Sequence, residues 1–248
     1  MPIPPANWPE NPPYRAEGRM ERSMERINIA IDGPAGAGKS TVAKAVAKRL
    51  GILYLDTGAM YRAMALKALR AGVNPGDRAG VLPLLADTKV EAKNIEGVQH
   101  TYLDGEDVSA LIRTQEVSKG ASDIAVIPEV RIKLVELQRQ AARETDVVMD
   151  GRDIASNVIP EARHQFYITA SVEERARRRL KELREKGQYL DVPFDRMVEE
   201  ISARDHTDST RAFAPLIRAP GAILIDTTNL GIDETVEAVL SQIHLEGE

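Results

Sequence analysis

Gly33-Pro34-Ala35-Gly36-Ala37-Gly38-Lys39-Ser40 fills every fixed position of the pattern GxxxxGK[ST]. The apolar run before it, residues 27–31, ends at Asp32-Gly33 and suits a buried strand. After it, residues 39–50 carry Val42, Ala45, Val46 and Leu50 at helical spacings of three and four. Strand, glycine-rich turn and helix in this order make a phosphate cradle. The glycines let successive amide N–H groups turn inward, and the helix N-terminus adds partial positive charge. Gly33, Pro34, Ala35, Gly36, Ala37, Gly38, Lys39, Ser40 and Thr41 are therefore the expected ATP-binding stretch. Lys39 is expected to reach the β- and γ-phosphates, and the Ser40 hydroxyl to ligate Mg²⁺.

Working outward, strands and helices alternate. A second strand is expected at 52–55, ending at Asp56, then a helix at 57–71 with Thr57 as N-cap and Gly72 as stop. Residues 80–115 break the alternation with short strands at 89–92 and 98–103 and turn signals at 94–97 and Asp104-Gly105, read as a small inserted subdomain. Helix returns at 116–142 with a break near Pro128, followed by strands at 147–149 and 165–169. Helices at 172–186 and 194–204, a strand at 222–225 and a helix at 232–243 complete the pattern. The expected fold is α/β, a P-loop NTPase-type parallel sheet with helices on both faces. It carries a small inserted acceptor-binding subdomain and a short lid at about 172–190.

Residues 1–26 read differently. They hold six of the fourteen prolines and no periodicity, so a disordered or extended tail is expected before a domain at 27–248. The 248 residues carry a net charge of -5, which argues against general nucleic-acid binding. The absence of cysteine excludes disulfides, thiolate metal sites and a cysteine nucleophile. No apolar run approaches the ~20 residues that span a bilayer. A cytoplasmic monomer is the expectation.

Residues 147–150 form an apolar strand ending in Asp150, the expected form of the acid that orients the metal; the alternative is an aspartate that only starts the turn with Gly151. Three stretches are rich in anion ligands. Asp56-Thr57-Gly58-Ala59-Met60-Tyr61-Arg62 sits where a strand ends and a helix begins, the place ligands bind in open α/β sheets. Asp150-Gly151-Arg152-Asp153 sets two carboxylates around an arginine. The third runs from Arg204 to Arg211 at a helix end, and its alternative is a solvated charge run. Arg175 and Arg179, four apart on one face, could bring two cations onto ATP, or serve a surface helix with its own ion pairs.

GPAGAGKST, LDTGAMYR, LDGEDVS, IRTQEVS, MDGRD and the RD–DS–R–APL spacing at 204–216 resemble, in that order, the bacterial cytidylate kinase family. The resemblance covers roughly residues 27–245 and implies transfer of the ATP γ-phosphate to CMP or dCMP. It implies that Arg62 and Arg152 hold the acceptor phosphate and that Ser122, Arg131 and Asp153 read cytosine. Arg204, Asp208 and Arg211 match positions around the acceptor sugar and phosphate. Thr57, with Tyr61 beside it, stands where some members have serine, while Thr207 and Ser209 stand where some have arginine. The 80–115 segment resembles the family's acceptor-side insert. Lys39, Arg152, Arg175 and Arg179 are the expected catalytic cations, with Ser40 and Asp150 at the metal. Another small-molecule P-loop kinase, acting on UMP, AMP or a non-nucleotide, is the alternative, and a GTP switch or nucleotide-binding regulator without turnover a more distant one. The guanine-reading NKxD motif is absent.

Overall fold

The computed structural model describes residues 26–244 except Lys186, Gln188 and Leu190. The tail expected at 1–26 lies outside the described residues apart from Arg26, as does part of the 172–190 segment.

Five parallel strands form the central sheet in the order β2-β6-β1-β7-β8. They are β1 (Asn28–Asp32), β2 (Leu53–Asp56), β6 (Val147–Gly151), β7 (His164–Thr169) and β8 (Ile223–Asp226). Alternation along the strands sends neighbours to opposite faces. Ile29, Ile31 and Val148 pack with Val42 and Val46 of α1 (Lys39–Leu50) and Val236 and Val239 of α8 (Ile232–Leu240). Ala30, Val147 and Met149 pack on the other face with Val135 and Ala142 of α5 (Pro128–Glu144). The sheet is thus covered on both faces.

A second core joins α2 (Thr57–Arg70), α3 (Arg78–Asp87), α4 (Gln115–Ile124) and α5 to an antiparallel sheet. That sheet is β3 (Val90–Ile95), β4 (Val98–Leu103) and β5 (Glu106–Asp107), in sequence order, within the expected 80–115 insert. Both hairpins turn on two residues of positive φ: Glu96 (52°) with Gly97 (81°), and Asp104 (52°) with Gly105 (89°). Such two-residue turns match the right-handed twist of the strands. The break expected near Pro128 falls between α4 and α5, with Pro128 at the first turn of α5. A buried stripe of Ala176, Leu180, Leu183, Met197 and Ile201 binds α6 (Val172–Glu185) to α7 (Phe194–Thr210).

Three expectations are corrected. Residues 78–87 are helical despite Gly80 and Pro83, with the Asp77 side chain accepting from Ala79 N at the helix start. The N-cap of α2 is Asp56, whose carboxylate accepts from Ala59 N at 2.9 Å; Thr57 is already the first helical residue. Helix α7 runs six residues beyond 204, so Arg204 and Asp208 lie four apart on one helix face rather than on a frayed end.

Candidate active site

The phosphate cradle lies between the ends of β1 and α1. Gly33 has φ 144°, and a Cβ there would stand 1.9 Å from the Ile168 carbonyl oxygen. Only glycine lets the loop pass this close to β7. Lys39 is 5% exposed, and its Nζ donates to the Pro34 carbonyl at 2.6 Å. Burial, then the neighbouring Arg152, holds its ammonium well below the usual lysine range, while Asp150 oppositely favours the charge. An anion arriving beside Lys39 and Arg152 would relieve that repulsion.

Asp150 is the hub at the end of β6. Its Oδ2 accepts from Ser40 Oγ at 2.7 Å and its Oδ1 from the Tyr54 hydroxyl at 2.8 Å. Its carbonyl accepts from Thr57 Oγ1 at 2.8 Å, so the buried Thr57 commits its proton to tying the ends of β2 and β6 together. Burial, then Asp56, pushes the Asp150 carboxyl up. Burial, then Asp150, also pushes the Tyr54 phenol up, so Tyr54 remains a donor. Ser40 and Asp150, the two groups expected at the metal, therefore do meet.

The acceptor-side residues assemble around paired charges. Arg62 donates to Asp56 Oδ2 at 2.7 Å, and Arg152 Nε to Asp208 Oδ2 at 2.7 Å. Asp153 Oδ2 accepts from Arg131 Nη2 at 2.5 Å and Asn157 Nδ2 at 2.9 Å, and Asp153 Oδ1 from Arg211 Nη2 at 3.2 Å. Arg131 is 1% exposed and lies 5.4 Å from the Tyr61 ring centre. A carboxylate has about four acceptor positions, so Oδ1 retains room for one more donor. Burial opposes ionisation of Asp208, yet Arg152 and Arg204 hold its carboxyl below the usual range. The Arg204 side chain makes no hydrogen bond or ion pair within the described residues; burial, then Arg152, lowers its guanidinium to about 10. The Nε atoms of Arg62, Arg131 and Arg204 are buried without partners. Buried donors without acceptors mark places for a ligand to supply them. Ser122 sits half-buried on α4, which packs along α2.

The two expected lid arginines differ. Arg175 is 6% exposed: its Nε donates to Ala170 O at 2.9 Å, and its Nη1 to Ala35 O at 3.1 Å and Asp205 Oδ2 at 2.5 Å. It ties α6 and α7 to the cradle rather than standing as a free cation, because its stem is packed under the loop at Gly36. Arg179 pairs with Glu182 on its own helix at 2.8 Å and is the more exposed of the two.

Four residues here escaped the sequence reading. Tyr54 could have been found, since it shares a strand face with Asp56. Gln99 of β4 accepts from Asp56 N at 2.6 Å and donates to Asp56 O at 3.3 Å, standing in for a strand beside the edge of β2. Arg178 reaches Thr227 O at 2.6 Å and approaches the cradle at Gly38. Asp32 accepts from Ile154 N and Ala155 N, each at 2.8 Å.

The family model for cytidylate kinase matches residues 29–245. The cytidylate kinase of Symbiobacterium thermophilum is 51% identical over 222 residues, covering 89% of this chain and 97% of the relative. That of Caldicellulosiruptor bescii is 49% identical over 217 residues, covering 88% and 95%. That of Clostridioides difficile is 46% identical over 222 residues, covering 90% of this chain and all of the relative. A family model over residues 29–245 and relatives 46–51% identical over most of both chains show that the chain belongs to the cytidylate kinase family.

Proposed function

We propose that this protein transfers the γ-phosphate of ATP to CMP or dCMP, giving ADP and CDP or dCDP. The observation that carries the substrate is the buried Asp153–Arg131 pair beside Arg152. Cytosine offers an amino donor at N4 and acceptors at N3 and O2. Asp153 Oδ1 accepts from N4, and Arg131 with its unpartnered Nε donates to the ring acceptors. Uracil would set a carbonyl against the same carboxylate, a mismatch that polar sites reject strongly.

In the reaction, the cradle and Lys39 hold the ATP phosphates. Arg62, Arg152, Arg204 and Arg211 orient the acceptor phosphate, with Asp208 fixing Arg152. Tyr61 and Ser122 complete the acceptor wall. An acceptor phosphate oxygen attacks the γ-phosphorus in line as the bond to the β-phosphate oxygen breaks. The acceptor phosphate is already ionised, so no strong general base is needed. Lys39 and Arg152 meet the charge shared across the transferring group; Arg175 holds α6 and α7 against the cradle, and Arg179 supports the transferring group from the α6 side. Mg²⁺ fits the Ser40–Asp150 pair, because it takes only one or two protein oxygens and completes its shell with phosphates and water. When bound, it would neutralise phosphate charge. On this reading the enzyme acts as a monomer. The demand for ATP and CMP points to the cytoplasm.

A panel of nucleoside monophosphates with Mg-ATP, read as ADP release, tests the reading. CMP and dCMP should turn over far faster than UMP or AMP. Preference for UMP would favour the alternative kinase, and no turnover with any acceptor a regulator.

Gln99 supplies a milder test. It holds Asp56, which in turn holds Arg62, so Gln99→Ala should raise the KM for CMP several-fold, about 1 kcal/mol. The KM for ATP should stay unchanged. Equal effects on both substrates would contradict this chain of contacts.

A further inference from the structure

Asp32 has no part in the reaction above, yet it is a carboxylate at 1% exposure one residue before the cradle. Its two oxygens each accept one amide, from Ile154 and Ala155, across more than 120 residues of sequence. Those amides open a short π-turn, Ile154–Val158, whose own bonds begin later: the Asp153 carbonyl accepts from Asn157 N and Val158 N. The first amides of any such turn lack internal partners and need them supplied from outside. Asp32 supplies two at once.

The residues immediately before the turn are Arg152 and Asp153. Their side chains leave in different directions, Arg152 to Asp208 and Asp153 to Arg131 and Arg211. Their backbone is held between the β6–β1 pairing, which ends at Asp32 opposite Gly151, and the two amides on Asp32. Removing either hold leaves Arg152 and Asp153 on a tether. A carboxylate is needed, because a carboxamide in the same place would turn an NH₂ toward one of the two amides. Burial raises the Asp32 carboxyl to about 6, while the Ile154 and Ala155 amides favour its charged form.

We propose that Asp32 is a positioning residue that sets Arg152 and Asp153 from the donor strand, so that acceptor affinity and base choice depend on a side chain touching neither substrate. This rests on the CMP reading above. The arrangement also makes one strand end serve both halves of the reaction: β1 delivers the cradle through Gly33 and aligns the acceptor groups through Asp32.

Asp32→Asn keeps the shape and loses one of the two acceptors. The KM for CMP should rise at least roughly tenfold, the KM for ATP should stay within about twofold, and the CMP/UMP ratio of kcat/KM should fall several-fold. Proportional loss on both substrates, or an unchanged CMP/UMP ratio, would reduce Asp32 to a stability group and overturn the proposal. Wild type measured alongside separates the two ideas. If wild type does not prefer CMP, the substrate reading fails, and the positioning role is judged by the split in KM between ATP and whichever acceptor is used. Should the variant fold poorly, wild type gives a second reading by hydrogen exchange. The Ile154 and Ala155 amides should exchange as slowly as the sheet core, and exchange at loop rates would refute the clamp.

Discussion

Lys39→Ala is expected to lower kcat at least about a hundredfold while leaving the melting temperature within a few degrees of wild type. The loss follows from removing a buried cation from the place where phosphoryl charge spreads. The survival of the fold follows from the surroundings. Lys39 sits against Arg152 and Arg204 as well as Asp150 and Asp32, so its removal relieves repulsion and forfeits attraction together. The check is turnover at saturating ATP beside a thermal melt. Near-normal turnover would sink the assignment of the cradle, and collapse of the fold would show Lys39 to be structural.

Asp153→Asn is expected to shift base preference from CMP toward UMP. Asp153→Ala is the less informative change, because it would strand Arg131 at 1% exposure, and removing one partner of a buried pair costs about 3–5 kcal/mol. Asparagine keeps an oxygen for Arg131 on the Oδ2 side and sets its NH₂ on the Oδ1 side, toward the base and toward Arg211, whose contact it gives up. The N4 amino group of cytosine then meets a donor, while the O4 carbonyl of uracil meets a match. Loss of a hydrogen bond to a charged group costs about 1.5–3 kcal/mol, so CMP efficiency should fall at least roughly tenfold. UMP efficiency should hold or rise. The ratio of kcat/KM for the two bases, in wild type and variant, is the measurement. An equal fall for both would assign Asp153 to the phosphate or to the arginines alone.

The parts of this molecule legible in the sequence are those whose chemistry is local. The cradle at 33–40 reads directly because glycine, lysine and serine act within eight residues of one another. Asp150, Arg152 and Asp153 read nearly as well because they follow an apolar strand. Helix α3 was hidden because Gly80 and Pro83 are breakers that packing against the insert overrides, with Val81 and Leu85 buried. The length of α7 was hidden because its last turns carry the site's own charges, which look like a solvated end. Asp32 and Gln99 were hidden for another reason. Each does its work on backbone far along the chain, 122 and 43 residues away, and nothing in the neighbouring sequence marks it. Arg175 shows the converse error: helical spacing identified its face correctly but could not reveal that the face is packed beneath the cradle.

The pairing of acids with arginines has a consequence for what the acceptor pocket admits. Arg62, Arg131, Arg152, Arg204 and Arg211 are met there by Asp56, Asp153 and Asp208. Among these five arginines and three aspartates the positive charges exceed the negative by two, and a fully ionised monophosphate brings two negative ones. On the proposed reading, the pocket is a charge-matched receptacle rather than a general anion trap. On that same reading, cytidine itself would fit the base-reading groups but leave that positive excess unanswered. Rejection of the unphosphorylated nucleoside then requires no steric barrier, only the absence of the dianion that makes the pocket neutral.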